Sequence, residues 1–367
     1  MARRTAITLR PVHRLKALLG RVLGALPPRA ARPFAGRPIV IDGEPLAPDV
    51  QLVLATVGED AALIASSPGE LRARQAIAAV LGAGAPVEVA RVEDLDVDGM
   101  PGRLYAARTP NAPLLVFVHG GGFVFGDLAT HDRLCRMLCR YADVSVLAFE
   151  YRLAPDHPFP AAIEDTARAW RWALTHVAQL GADPTRIAIA GDSAGANLAT
   201  VLCQQTAGTR EAPVCQLLIY PTVDFHGTYA SKQLFAERFL LTNEAIAWYH
   251  EHYVETTNAD PRDPRLTPIL HPELAGQPPA LVITAGFDPL RDEGEAYATA
   301  LRRAGSVAIT RRFGALIHGF ANLTGVSRSS HEAVVEIAAM LRSLLSSENE
   351  RSHRGGDGRR RPHPLRR

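Results

Sequence analysis

Residues 187–205 read Ile187-Ala-Ile-Ala190-Gly191-Asp192-Ser193-Ala194-Gly195-Ala-Asn-Leu-Ala-Thr-Val-Leu-Cys-Gln-Gln205. The short apolar run 187–190 reads as a buried strand, and Ala194–Gln205 as a helix. Between them lies Gly-x-Ser-x-Gly, the pattern of a tight strand-to-helix turn that lifts a serine hydroxyl above a sheet. Gly191 and Gly195 are the positions where such a turn tolerates no Cβ. Asp192 completes the turn. Ser193 is therefore the candidate nucleophile, placed at the positive end of the helix that follows.

Working outward, strands and helices alternate. Strands are expected at Leu114–Val118, Val144–Tyr151, Gln216–Tyr220, Ala280–Ala285 and Val307–Phe313, with an edge strand within Val87–Val97. Helices are expected at 48–57, 70–81, 130–141, 160–179 and Glu332–Leu345. Such units build an α/β fold with a mostly parallel central sheet and helices on both faces. Residues 223–270 break the rhythm with Phe225, Phe235, Phe239, Leu240, Leu241, Trp248, Tyr249 and Tyr253. An aromatic insertion there is expected over the carboxyl ends of the strands, where open α/β sheets bind ligands.

A second glycine cluster, His119-Gly120-Gly121-Gly122-Phe123, follows the Leu114–Val118 strand. Acyl transfer builds negative charge on a carbonyl oxygen, and amides of an unhindered glycine loop can meet it without rearranging. Gly120 and Gly121 are the expected donors, with the N–H of Ala194 as the third. His119 reads as a brace for this loop. A phosphate-binding loop would need the Lys-Ser/Thr that is absent here.

A serine nucleophile needs a base, and the base needs an orienting acid. Among 13 histidines, His318 stands in a loop after the last expected strand, at the same end of the sheet as Ser193. Asp288 directly follows the Ala280–Ala285 strand, whereas Asp292 and Glu293 are expected to face solvent or an arginine. His250 and His252 are two apart on a helix and share no face, so no metal pair is expected. The order Ser193, Asp288, His318 is that of α/β hydrolases. Turnover should fade in acid as the imidazole takes a proton.

The motifs together resemble the hormone-sensitive-lipase-like family of α/β-hydrolase esterases, and within it the actinobacterial carboxylesterases. They are His119-Gly-Gly-Gly-Phe123, Tyr151-Arg-Leu-Ala-Pro155 with His157-Pro158, Gly191-Asp-Ser-Ala-Gly195 with Asn197-Leu-Ala199, Asp288-Pro-Leu-Arg-Asp292 and His318-Gly-Phe320. The resemblance covers about residues 40–346. It implies Ser193, Asp288 and His318 as a triad, the glycine loop as an oxyanion hole, an N-terminal segment in a cap, and short acyl chains as substrate. A binder with an inert serine and an amidase remain as rival readings.

The expected organisation is a cap segment 1–50, core 51–222, cap insertion 223–262, core 263–346 and a disordered basic tail 347–367. Phe123, Phe225, Phe239 and Leu240 are the expected pocket residues. Small-molecule esters are the expected substrates of this chemistry, and no cofactor or metal is required. The 367 residues carry a formal net charge of +2. Residues 1–37 hold nine Lys/Arg and no acid; residues 347–367 hold seven Arg and three acids. That leaves residues 38–346 at −11, which excludes a nucleic-acid-binding core. A basic amphipathic helix over 11–26 is expected to pack on the body, with weak contact to a membrane surface as the alternative. No apolar run reaches the length of a spanning helix. Cys135, Cys139, Cys203 and Cys215 show no zinc or disulfide spacing and read as reduced, buried thiols, which favours the cytoplasm; a monomer or homodimer is expected.

Overall fold

The computed structural model describes residues 26–57, 67–82 and 84–356. The expected helix over 11–26 lies, but for its last residue, outside them. Eight strands form one sheet: β1 (Arg91–Val97), β2 (Met100–Ala106), β3 (Ala112–Val118), β4 (Ser145–Phe149), β5 (Ala182–Asp192), β6 (Gln216–Ile219), β7 (Ala280–Phe287) and β8 (Ala308–Ile317). Their order is β8-β7-β6-β5-β3-β4-β2-β1. β2 is antiparallel to both β1 and β4; the pairs from β4 to β8 are parallel.

The central strands are apolar on both faces because both are covered. Every residue of β3, β4, β6 and β7 is buried. On one face, the helices Ala161–His176, Ala194–Thr206 and Arg291–Arg303 contribute Trp170, Leu198, Val201, Tyr297 and Leu301 to a core around Val116, Ile189 and Val282. On the other, Asp132–Ala142 and the long helix Arg328–Gly356 bring Leu134, Leu138, Val334, Ile337 and Leu341 against Leu115, Phe117, Leu217 and Ile283.

The strand β2 was not expected. Its sequence, Met-Pro-Gly-Arg-Leu-Tyr-Ala, opens with Pro and Gly, which read as loop. Pro101 has no N–H to give, yet its carbonyl accepts from Glu150 N at 2.9 Å, and Gly102 lies where a Cβ would strike Val97. The carboxyl end also differs from expectation. The last helix continues to Gly356, because the segment from Ser347 to Arg354 contains no Pro or Gly to stop it; residues 357–367 of the expected tail lie outside the described chain. All four cysteines are buried and none joins a disulfide. Among the described residues no helix is long and apolar enough to cross a membrane.

Candidate active site

Strand register brings the chemistry together. Val118 pairs with Gly191 across β3 and β5, so His119 and Asp192 emerge side by side. Ile317 pairs with Phe287 across β8 and β7, so His318 and Asp288 do the same. At the end of β5, Ser193 has φ 53° and ψ −118°, a backbone conformation that costs free energy in an L-residue and persists only when its surroundings fix it. They do. The Ser193 N–H donates to Ile219 O at 2.9 Å. A Cβ on Gly195 would enter the carbonyls of Val118 and His119, and one on Gly191 would enter the main chain of Gly195.

His318 Nε2 stands 3.0 Å from Ser193 Oγ, and its Nδ1 stands 2.9 Å from Asp288 Oδ2. Asp288 is fully buried, and its other oxygen accepts the Leu290 N–H at 2.8 Å. A proton on Nδ1, held by the carboxylate, leaves Nε2 with a lone pair aimed at the hydroxyl. Tyr220 packs against the imidazole with ring centroids 4.6 Å apart.

The glycine loop differs from expectation at one position. The Gly120 N–H donates to Asp192 Oδ1 at 2.8 Å, so it is spent and cannot meet a substrate oxygen. The next two peptides face otherwise. His119 Nδ1 lies 2.9 Å from Gly120 O, and Gly121 O accepts from both Val124 and Phe125 N at 3.0 Å. In a trans peptide the N–H points opposite to the carbonyl. Gly121 and Gly122 therefore turn their N–H groups away from those anchors, and both residues line the cavity beside Ser193 and Ala194.

His119 braces the loop from below. Its ring stacks on Tyr151 at 4.2 Å, and the Tyr151 hydroxyl donates to His119 O at 3.0 Å. Burial, reinforced by His131, pushes the His119 imidazole down to about 4, so it stays neutral and serves as a fixed donor. Asp192 is the hub of this layer and nearly fully buried. His131 Nε2 lies 3.2 Å from Oδ1, while Tyr220 Oη and Asn322 Nδ2 reach Oδ2 at 3.3 and 3.2 Å. Burial alone would raise its carboxyl, but His131 and the Gly120 N–H outweigh that and hold it below the usual range. His131 and Asn322 escaped sequence reasoning: neither sits in a strand-end motif, and only the fold brings them to Asp192.

A cavity of about 600 Å³ opens above Ser193 and His318. Phe123 and Leu240 line it, as expected. Phe225 and Phe239 do not. Phe225 stacks behind the wall on His250, centroids 4.1 Å apart. Phe239 is buried against Phe235 and Phe287, because the chain enters the core there instead of crossing the cavity. The roof comes from the helices Pro48–Val57 and Pro68–Gly82, through Val53, Leu54, Gln75 and Ile77, and from the helix Asn243–Tyr253, through Ile246, Tyr249 and His250. Overhanging residues thus extend well past 50.

Glu293 also departs from expectation. It is fully buried, with Oε1 accepting from Val223 and Asp224 N at 2.8 and 3.2 Å and Oε2 2.9 Å from Lys232 Nζ. It ties the start of the aromatic insertion to the helix behind Asp288. Burial outweighs Lys232 and pushes its carboxyl up to about 7. The overlooked signal was spacing: Glu293 precedes Tyr297 by four and shares its buried stripe. Asp292 does pair with Arg291, at 2.7 Å. In the Tyr151–Pro155 region, Arg152 braces the turn through Asp165 at 2.8 Å, and Asp156 meets Arg72 at 2.9 Å.

A mostly parallel sheet with a serine elbow at its centre and an acid and an imidazole at the ends of β7 and β8 defines the α/β-hydrolase class. A family model described as the alpha/beta hydrolase fold matches residues 115–322. The chain is 44% identical over 341 residues to the carboxylic ester hydrolase LipN of Mycobacterium tuberculosis, covering 89% of this chain and 90% of that one. It is 37% identical to the ethyl acetate hydrolase of Pseudomonas putida, over 67% of this chain and 79% of the relative. Among solved structures, the hyperthermophilic esterase of the archaeon Pyrobaculum calidifontis superposes with a TM-score of 0.74 at 35% identity, over 82% and 98% of the two chains. The chain belongs to the hormone-sensitive-lipase-like carboxylic ester hydrolases of the α/β-hydrolase family.

Proposed function

We propose that this protein is a serine carboxylesterase that cleaves short- to medium-chain carboxylic esters through an acyl-enzyme. Ser193 Oγ attacks the acyl carbon while His318 Nε2 takes its proton. Asp288 holds the imidazole in the Nδ1–H tautomer and stabilises the imidazolium. The carbonyl oxygen, now an oxyanion, meets the N–H groups of Gly121, Gly122 and Ala194; each such donor is worth ~10²–10³ in turnover. The C–O bond to the alcohol breaks as His318 returns the proton to the leaving oxygen. Water then enters, gives a proton to His318 and attacks the acyl carbon; as the bond to Ser193 Oγ breaks, His318 returns that proton to Oγ, and the carboxylic acid leaves.

The observation that carries this reading is the unbroken chain of hydrogen bonds from Ser193 through His318 to Asp288 at the floor of the cavity. In this reading the helices Pro48–Val57 and Pro68–Gly82 with residues 223–262 form the cap, and 84–222 with 263–346 the catalytic core. The cavity, about 600 Å³ and lined mainly by apolar side chains, suits a compact acyl group.

Ser193→Ala is expected to abolish turnover of 4-nitrophenyl butyrate while leaving circular dichroism and the melting temperature unchanged. Retained turnover would overturn the mechanism. A series of nitrophenyl esters from acetate to palmitate should peak at the short to medium chains, and a maximum at palmitate would replace esterase by lipase.

A further inference from the structure

Three consecutive residues of the glycine loop have positive φ: Gly121 at 122°, Gly122 at 59° and Phe123 at 64°. Glycine adopts such angles at no steric cost. Phenylalanine does not, and an aromatic L-residue held there needs surroundings that over-determine it. Part of that restraint is main-chain: Phe123 O accepts from Ala154 N at 2.9 Å. The remainder comes from the cap. The Phe123 ring lies flat on Tyr253, with centroids 3.9 Å apart and planes within 4°. One turn earlier on the same helix, Tyr249 covers Gly122 so closely that a Cβ there would run into its ring. The elbow and the strand ends supply neither contact.

We propose that Tyr253 is a positioning residue for the ester-hydrolysis reaction: by stacking on Phe123 it holds the left-handed turn that aims the Gly121 and Gly122 N–H groups at the substrate oxygen. The proposal rests on reading those two groups as oxyanion donors. Tyr253 is 1% exposed and lies behind the cavity wall, so it acts through Phe123 and not by touching substrate. Its hydroxyl has no hydrogen-bond partner among the described residues, which leaves the ring as the working part. A second aromatic, Phe159, meets Tyr253 edge-on at 6.0 Å and 90° without stacking on the loop. It provides an internal control, because it packs on the same tyrosine from another side.

The test compares Tyr253→Leu, Tyr253→Phe and Phe159→Leu with the wild type on 4-nitrophenyl butyrate. Tyr253→Leu should lower kcat about tenfold with KM within twofold, and should weaken inhibition by a trifluoromethyl ketone, whose serine adduct carries the oxyanion, by a similar factor. Tyr253→Phe should keep kcat within twofold. Phe159→Leu should lower the melting temperature while keeping kcat within twofold. Should Tyr253→Leu fail to fold, Tyr253→Met, which fills the space without a flat ring, is scored by the same criteria. The proposal is overturned by a folded Leu or Met variant with wild-type kcat, or by Phe159→Leu losing kcat to the same extent as Tyr253→Leu. Ser193→Ala, assayed alongside, separates the two levels. Its activity would sink the underlying mechanism, whereas an inert Ser193→Ala beside an unaffected Tyr253→Leu sinks only the role of Tyr253.

Discussion

The strand-end loops and the cap face each other across the same cavity, but they are held by different means. Around Ser193 the restraints are main-chain: register between β3, β5 and β6, carbonyls pressed against Gly191 and Gly195, and an N–H given to Ile219. In the cap they are side-chain contacts: Phe235 and Phe239 on Phe287, Phe225 on His250, and Glu293 on the first amides of the insertion. Main-chain restraints admit almost no substitution and leave motifs behind. Side-chain restraints can be met by many residues and leave little more than an apolar bias.

The main-chain packing of the elbow is tightest at Gly195. Gly195→Ala forces a methyl into the carbonyls of Val118 and His119 and is expected to cost more than about 4 kcal/mol, read as a shifted urea midpoint. A near-neutral change would mean that the elbow is looser than its main-chain packing implies. Phe239→Ala probes the opposite regime. Emptying its site is expected to cost ~3–5 kcal/mol of stability, while kcat for a short ester stays within about twofold, since the ring does not reach the cavity. Asp192→Ala leaves the Gly120 N–H without its acceptor and should lower kcat by ~10², the scale of losing one oxyanion donor, with a smaller change in KM.

Glu293, a side-chain tie of the cap, responds to pH. Its carboxyl is raised to about 7 in the folded chain against roughly 4.3 when unfolded. The folded state therefore binds the proton more tightly, and the associated stability is complete below about pH 4 and lost as pH rises through 7. Glu293→Gln should remove that slope from unfolding free energies measured between pH 5 and 8. An unchanged slope would show that Lys232 keeps the group ionised throughout. The smallest effect is expected at Leu240, which lines the cavity: Leu240→Ala should shift the acyl-chain optimum by a carbon or two with stability changed by less than about 1.5 kcal/mol, as seen in a chain-length series beside a thermal melt.

The same division explains what could be read from the chain. Seven of the eight strands of the sheet were legible, β1 from its alternation and the others from rhythmically placed apolar stretches, whereas β2 was hidden by Pro101 and Gly102. Ser193, Asp288 and His318 were legible because each follows a strand, and strand ends of a parallel sheet gather on one side. Gly120 was misassigned as a donor because its N–H is taken by Asp192, a contact 72 residues away in sequence. Phe225 and Phe239 were misassigned because aromatic content marks an insertion that packs without saying which ring faces the cavity. His131 and Asn322 carry no local signature, and Tyr253 shares only the aromatic bias of the insertion.

The sulfur chemistry of the chain has a practical bearing on these experiments. Cys135 and Cys203 are fully buried, and burial raises the thiols of Cys135, Cys139 and Cys203 above their ordinary range, Cys139 to about 12. Few thiolates form at neutral pH, and maleimides find little to alkylate in the native fold. A single cysteine engineered on the exposed side of the Asn243–Tyr253 helix would then take a fluorophore or spin label selectively, so the environment of the roof can be reported during turnover without first stripping the native sulfhydryls.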